Sequence, residues 1–175
     1  SGDIVPVLAS SALKNIGVGR IMDAICAYIP SPLERPTAVA TDLLSHEEVT
    51  LEGDGSAPLA VLIFKTTADP YVGKLSYFRV CSNTFYSDSQ VWNADKSTSE
   101  RVSQLFTARG KSQEPAPHVV AGDIGAVGKL SESSTGDTLC NKDRPLALPK
   151  VEFPPSPLAV AVFAQTKADV DKMGT

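Results

Sequence analysis

The residue groupings in this chain that come nearest to chemistry are incomplete in ways that matter. Gly110-Lys111-Ser112 supplies the last three positions of G-x-x-x-x-G-K-[ST], the loop whose backbone amides cradle a phosphate. The first glycine of that loop would be residue 105, which is Leu105. The loop must also open a helix, and Gln113-Glu114-Pro115 does not. Asn141-Lys142-Asp143-Arg144 approaches the guanine-reading N-K-x-D, with its aspartate one position early. Asp171 to Gly174 fits D-x-x-G, which two residues satisfy by chance. His46-Glu47-Glu48 begins like H-E-x-x-H, but residue 50 is Thr50. With two histidines in all, a His-rich metal site is excluded. No residue pattern marks a carboxylate Mg²⁺ or Ca²⁺ site, and G-x-S-x-G is absent. On motifs alone the expectation is a non-enzymatic module with no catalytic residue and no metal ligand.

The elements that would position any site follow from length and texture. At 175 residues the chain has room for about one domain and a piece of another. Its 42% hydrophobic and 21% charged residues lie close to the globular average, which excludes disordered, collagen-like and coiled-coil classes. No apolar run approaches the ~20 residues that span a bilayer, and SGDIVPVLASS, without a basic stretch followed by an unbroken apolar one, does not read as a signal peptide. Cys26, Cys81 and Cys140 are odd in number and far apart, so the reading is three reduced thiols in a cytosolic protein.

Ile4 to Leu8 reads as a buried strand. Ile16, Val18, Ile21, Met22, Ile25 and Ile29 share one helical face, ended by Pro30 and Pro32. Residues 31–57 have linker composition, with one short strand at Glu48–Leu51. Six β-rich runs follow: 59–64, 75–80, 89–93, 102–106, 119–127 and 146–151. Short strands broken by Gly, Pro, Asn and Asp predict an antiparallel barrel or sandwich. The expected core is Val61, Ile63, Leu75, Phe78, Val80, Val102, Leu105, Ile124 and Val127. The segment 108–117 reads as a loop with a basic hairpin at Gly110-Lys111-Ser112. Leu158 to Ala164 reads as a further strand, and Thr166 as the cap of a helix that the chain only begins.

Charge is uneven. The net charge is −4, yet the first 57 residues carry 3 basic against 8 acidic groups, and residues 58–145 carry 10 against 9. That is not a bulk-charge footprint for nucleic acid, so an RNA contact would need a local patch. Lys74, Arg79, Arg109 and Lys111 are the candidates. Val-Gly-Lys-Leu occurs twice, at 72–75 and 127–130, and both copies read as strand segments whose glycine permits a bulge or close approach.

Four segments, VPVLASSALKNIGV at 5–18, ADPYVGKLSYFRVCSNT at 68–84, AGDIGAVGKLSESSTGDTLC at 121–140 and QTKADVDKM at 165–173, together resemble bacterial translation elongation factor G. The resemblance implies a mainly β chain: residues 1–36 as a strand–helix remnant of an α/β GTPase domain, 37–57 as linker, 58–154 as a translation-factor β-barrel, and 155–175 as the start of a third domain. It implies that Ser11, Ala12 and Leu13 match the Ser-Ala-x loop whose backbone helps hold guanine. The remaining GTP and Mg²⁺ contacts of the family lie upstream of this sequence, so no cofactor is expected here. It further implies a partner in small-subunit ribosomal RNA, a cytoplasmic location, no membrane and no DNA. The parent activity is GTP-driven translocation on the ribosome. A ribosomal protection protein is the nearest alternative relative, and Ser133-Ser134-Thr135-Gly136-Asp137-Thr138 favours the elongation factor. A free-standing β-barrel that binds RNA or protein is the alternative outside the family. An apolar strand at 158–164 without its sheet would be ordered by contact with a neighbouring molecule.

Overall fold

A computed structural model describes residues 4–34, 38–53, 57–69, 73–110, 112–152, 154, 158, 160, 161, 163 and 164. In chain order the elements are helix α1 (Val18–Tyr28), then strands β1 (Ala38–Asp42), β2 (Glu48–Leu51), β3 (Ala60–Asp69), β4 (Gly73–Ser82), β5 (Thr84–Tyr86), β6 (Gln90–Asn93), β7 (Thr98–Arg101), β8 (Leu105–Arg109), β9 (Ser112–Ala116), β10 (His118–Val120), β11 (Ile124–Gly128), β12 (Thr138–Cys140) and β13 (Leu146–Ala147).

Eight strands form one antiparallel sheet in the order β7-β6-β12-β3-β4-β11-β8-β9. β10 and β5 pair beside it, and β13-β1-β2 make a small three-stranded sheet. The long sheet curls because strands twist and bulges sharpen the bend. One register shift falls between Ile63 and Lys65 of β3. Curling closes the sheet over a core of Val61, Ile63, Phe78, Val80, Phe85, Val91, Val102, Leu105, Val119, Val127, Leu130 and Leu139. Phe78 and Phe85 meet edge to face at 4.9 Å, the favoured geometry for two rings. A second apolar cluster, Ala40, Leu51, Ala60, Cys81, Leu146 and Leu148, joins the small sheet to β3 and β4.

The mainly β, antiparallel class holds. Eight of the nine expected core residues are buried. Ile124 is the exception at 55% exposed: it opens β11 across from the exposed Arg79 of β4. The run 119–127 divides into β10 and β11, because Ala121-Gly122-Asp123 makes a turn with Gly122 at φ 92. The 102–106 strand begins later, at Leu105, while Val102 is buried just before it. The stretch read as loop is largely the β8–β9 hairpin, and Pro115 sits within β9.

The segment 37–57 carries β1 as well as the expected Glu48–Leu51 strand. Val39 and Ala40 are short of the alternation that would have marked a strand, and β1 is held by β2 and β13, which come from distant sequence. Ile4 to Leu8 is not a strand: Ile4, Val5 and Val7 are exposed, and a strand needs a neighbour to pair with. Among the described residues of 158–164 none lies in a strand, and Leu158, Val160 and Phe163 are exposed. The Thr166 cap lies outside the described residues. No helix among the described residues is long and apolar enough to cross a membrane.

The two Val-Gly-Lys-Leu copies lie side by side. Gly128 is paired with Leu75 across β11 and β4, and the Lys129 N–H donates to the Lys74 carbonyl at 2.9 Å.

Candidate functional site

Residues 11–16 form a closed tight loop. The Ser11 N–H donates to the Ile16 carbonyl at 2.9 Å, and the Ile16 N–H returns to Ser11 at 3.0 Å. Asn15 and Gly17 take positive φ to turn the chain, at 52° and 75°. Ser11 Oγ accepts from the Lys14 N–H at 3.4 Å. Leu13 is almost wholly exposed. The geometry therefore displays Ala12 and Leu13 at a loop tip, with neither of their N–H groups donated to another backbone carbonyl among the described residues.

The three candidate cations among the described residues do not share one face. Lys74 Nζ is occupied, donating to the Ser133 carbonyl at 2.6 Å. Arg79 is exposed on β4, opposite Ile124 of β11. Five residues along a strand also put it on the opposite face from Lys74, about 17 Å away. Arg109, at the end of β8, lies 3.8 Å from Glu114, and both side chains are largely exposed. Lys111 lies outside the described residues.

The most elaborate polar arrangement was not foreseen. It surrounds the loop 131–137, which leads into β12. Glu100 on β7 is 3% exposed and inward-facing. Its carboxylate accepts from the Ser131 hydroxyl at 3.2 Å, the Glu132 N–H at 3.0 Å, the Ser133 N–H at 2.9 Å and the Ser133 hydroxyl. Asp137 accepts from Asn93 Nδ2 at 2.9 Å and the Ser134 N–H at 2.8 Å, with Lys96 Nζ at 3.3 Å. Asn93 Oδ1 in turn accepts from the Asp95 and Lys96 N–H groups. Asp95 accepts from the Thr138 N–H at 2.8 Å and pairs with Lys150 at 2.9 Å. Lys96 Nζ also donates to the Glu132 carbonyl and to Ser134 Oγ.

Burial pushes both carboxyls up, but the donors outweigh it. The Ser133 hydroxyl and the Glu132 N–H hold Glu100 below its ordinary value. Asn93 and the Ser134 N–H do the same for Asp137. Both groups stay charged and fully engaged, which suits them to fixing a loop and not to moving protons or holding a cation. No cluster of metal-ligating side chains occurs among the described residues. Nothing local marks this cage in the sequence, since Glu100 and Ser133 lie 33 positions apart.

Trp92 on β6 carries the Lys142 ammonium 5.2 Å from its ring centre, a cation over an aromatic face. The near match at 141–144 thus has a different use: the Asn141 side chain accepts from the Leu59 N–H at 2.9 Å and ties the end of β12 to the start of β3.

A family model described as elongation factor G domain 2 matches residues 58–142. Among solved structures, a crystal structure of a protein from Thermus thermophilus superposes with a TM-score of 0.65 at 22% identity, over 94% of this chain and 22% of that one. At that identity the likeness is one of fold. This chain spans less than a quarter of the length of that structure's chain. The matched segment runs from the residue before Leu59 to the residue that covers Trp92, so it takes in the core and the 131–137 cage together. Residues 58–142 thus match the elongation factor G domain 2 family, and the match covers the barrel from β3 to β12.

Proposed function

We propose that this chain acts as a non-catalytic, ribosome-contacting part of a GTPase that drives translocation in the cytoplasm. The observation that carries the reading is the coincidence of the matched segment with the folded barrel, from β3 through β12. The barrel contributes shape and rigidity. Its buried carboxylates are saturated by donors, and its cations are nearly balanced by acidic groups, 10 against 9 over residues 58–145. Small-subunit RNA is the proposed partner, bound weakly by the isolated chain because a nearly neutral surface releases few counterions. The exposed Ala12–Leu13 tip fits a backbone contact to a guanine base, supplied as one edge of a nucleotide site whose phosphate and Mg²⁺ ligands belong to preceding sequence in the family. Residues 1–36, 58–154 and 155–175 would then serve as the end of the GTPase domain, the barrel domain and the start of a third domain.

Co-sedimentation with isolated small ribosomal subunits tests this. The chain should pellet at low salt and be released as salt rises. Absence from the pellet even at low ionic strength would remove the ribosome-contacting reading.

A further inference from the structure

The geometry points to Pro32 as a peg that fixes the direction of α1 relative to the barrel, seated in a socket made by two glycines. Pro32 stands second in a tight turn, Ser31 to Glu34. The Glu34 N–H donates to the Ser31 carbonyl at 3.0 Å, and the Ser31 N–H donates to Glu34 Oε2 at 2.6 Å. Proline at that turn position arrives with its φ already set, so the ring is presented at little entropic cost.

The socket is defined by what cannot be there. A Cβ on Gly122 would stand 2.3 Å from Pro32 Cγ and 2.5 Å from Pro32 Cβ. A Cβ on Gly53 would stand 2.9 Å from the Pro32 carbonyl oxygen. Real Cβ contacts are essentially never that close, so only glycine at both positions leaves the turn its seat. Gly122 belongs to the β10–β11 turn, and Gly53 follows β2, so one proline touches both the barrel and the small sheet. The Gly122 side is rigid: its N–H donates to the Val80 carbonyl at 2.8 Å, and the Val80 N–H donates to Asp123 at 3.0 Å. Val80 is a fully buried core residue.

On the other side, only Ile29 and Pro30 separate α1 from this turn. The Ile29 N–H closes on the Ile25 carbonyl at 3.0 Å, and Pro30 restricts both itself and the residue before it. α1 buries none of its own residues. Its direction is therefore set at its C-terminal end, through a short, proline-stiffened connector, and a change in that direction reaches Val80 and the core through the Gly122 turn.

Cys26 gives the test a handle. It is exposed on α1, while Cys81 and Cys140 are buried. A dye on Cys26 should depolarise mainly with the whole chain. Pro32→Gly removes the ring, and Gly53→Ala lifts the Pro32 carbonyl without a left-handed penalty. Each should increase the amplitude of fast local depolarisation about twofold, with the urea midpoint of the barrel unchanged. Either variant that keeps both the wild-type midpoint and the wild-type decay overturns the peg, as does a wild-type dye that already rotates freely.

Discussion

Gly125 of β11 lies directly opposite Phe78 of β4, and a methyl group on Gly125 would stand 2.6 Å from Phe78 Cζ. The same methyl would meet Val119 Cγ2 at 3.1 Å. The absent side chain of Gly125 leaves the space that the Phe78 ring occupies. Gly125→Ala should destabilise the barrel by about 1–3 kcal/mol through overpacking. Phe78→Ala should cost about 3–5 kcal/mol through the cavity it leaves. Urea unfolding followed at Trp92, the single tryptophan, measures both; a Gly125→Ala protein as stable as wild type would show that the ring can move aside.

The Glu100 cage has a pH signature. The Glu100 carboxyl sits below its ordinary value of 4.5 in the folded chain. Its contribution is therefore complete above that value and is lost as pH falls through the folded one. Glu100→Gln should cost about 1.5–3 kcal/mol at neutral pH, the range for hydrogen bonds to a charged group. The gap between the two proteins should narrow on acidification below about pH 4. Parallel stability curves from neutral to acidic pH would exclude the cage as a charged clamp.

Lys74 and Arg79 should separate. Lys74 holds the Ser133 carbonyl and so belongs to the loop anchorage, whereas Arg79 is free of ion pairs among the described residues. Lys74→Glu should lower the unfolding midpoint. Arg79→Glu should leave it within about 0.5 kcal/mol of wild type, as for most surface changes, while weakening pelleting with small subunits. Equal midpoints for the two variants would contradict the anchoring role of Lys74.

Thiol chemistry should count one cysteine in the native chain. Burial raises the Cys81 and Cys140 thiols, which leaves less thiolate to react. Native protein at mildly alkaline pH should consume one equivalent of a thiol reagent rapidly, at Cys26, and denatured protein three. Fast modification of a second cysteine would mean that β4 or β12 opens readily.

GTP should not bind the chain measurably. The 11–16 loop offers two backbone donors at its tip, whereas phosphate and Mg²⁺ contacts carry most nucleotide affinity. Micromolar binding by calorimetry, about −8 kcal/mol, would refute this.

How much of this was legible depended on whether the cause was local. Phe78, Val80 and Ile63 announced themselves because apolar side chains at strand spacing must face something. Ile124 misled because it looks much like Val127 in sequence, and only the position of the Gly122 turn decides which way it points. β9 was hidden by its polarity: Ser112-Gln113-Glu114-Pro115-Ala116 has no apolar face, and pairing with β8 makes it a strand. β12, with three residues, is too short to show a period. The cage was invisible because its partners come from β6, β7 and the loop before β12, and a serine next to a serine says nothing about a carboxylate 33 positions away.

Pro115 carries one more consequence. β9 stands at one end of the eight-strand order, where an open row of N–H and C=O groups would invite another chain to add a strand. Proline persists in a strand when its nitrogen faces away from the ladder, and on β9 that is the solvent side. The outer row therefore lacks a donor in mid-strand, beside the exposed charge of Glu114. The residue that ended any prospect of a helix here is also what makes this border of the sheet a poor template for an added strand.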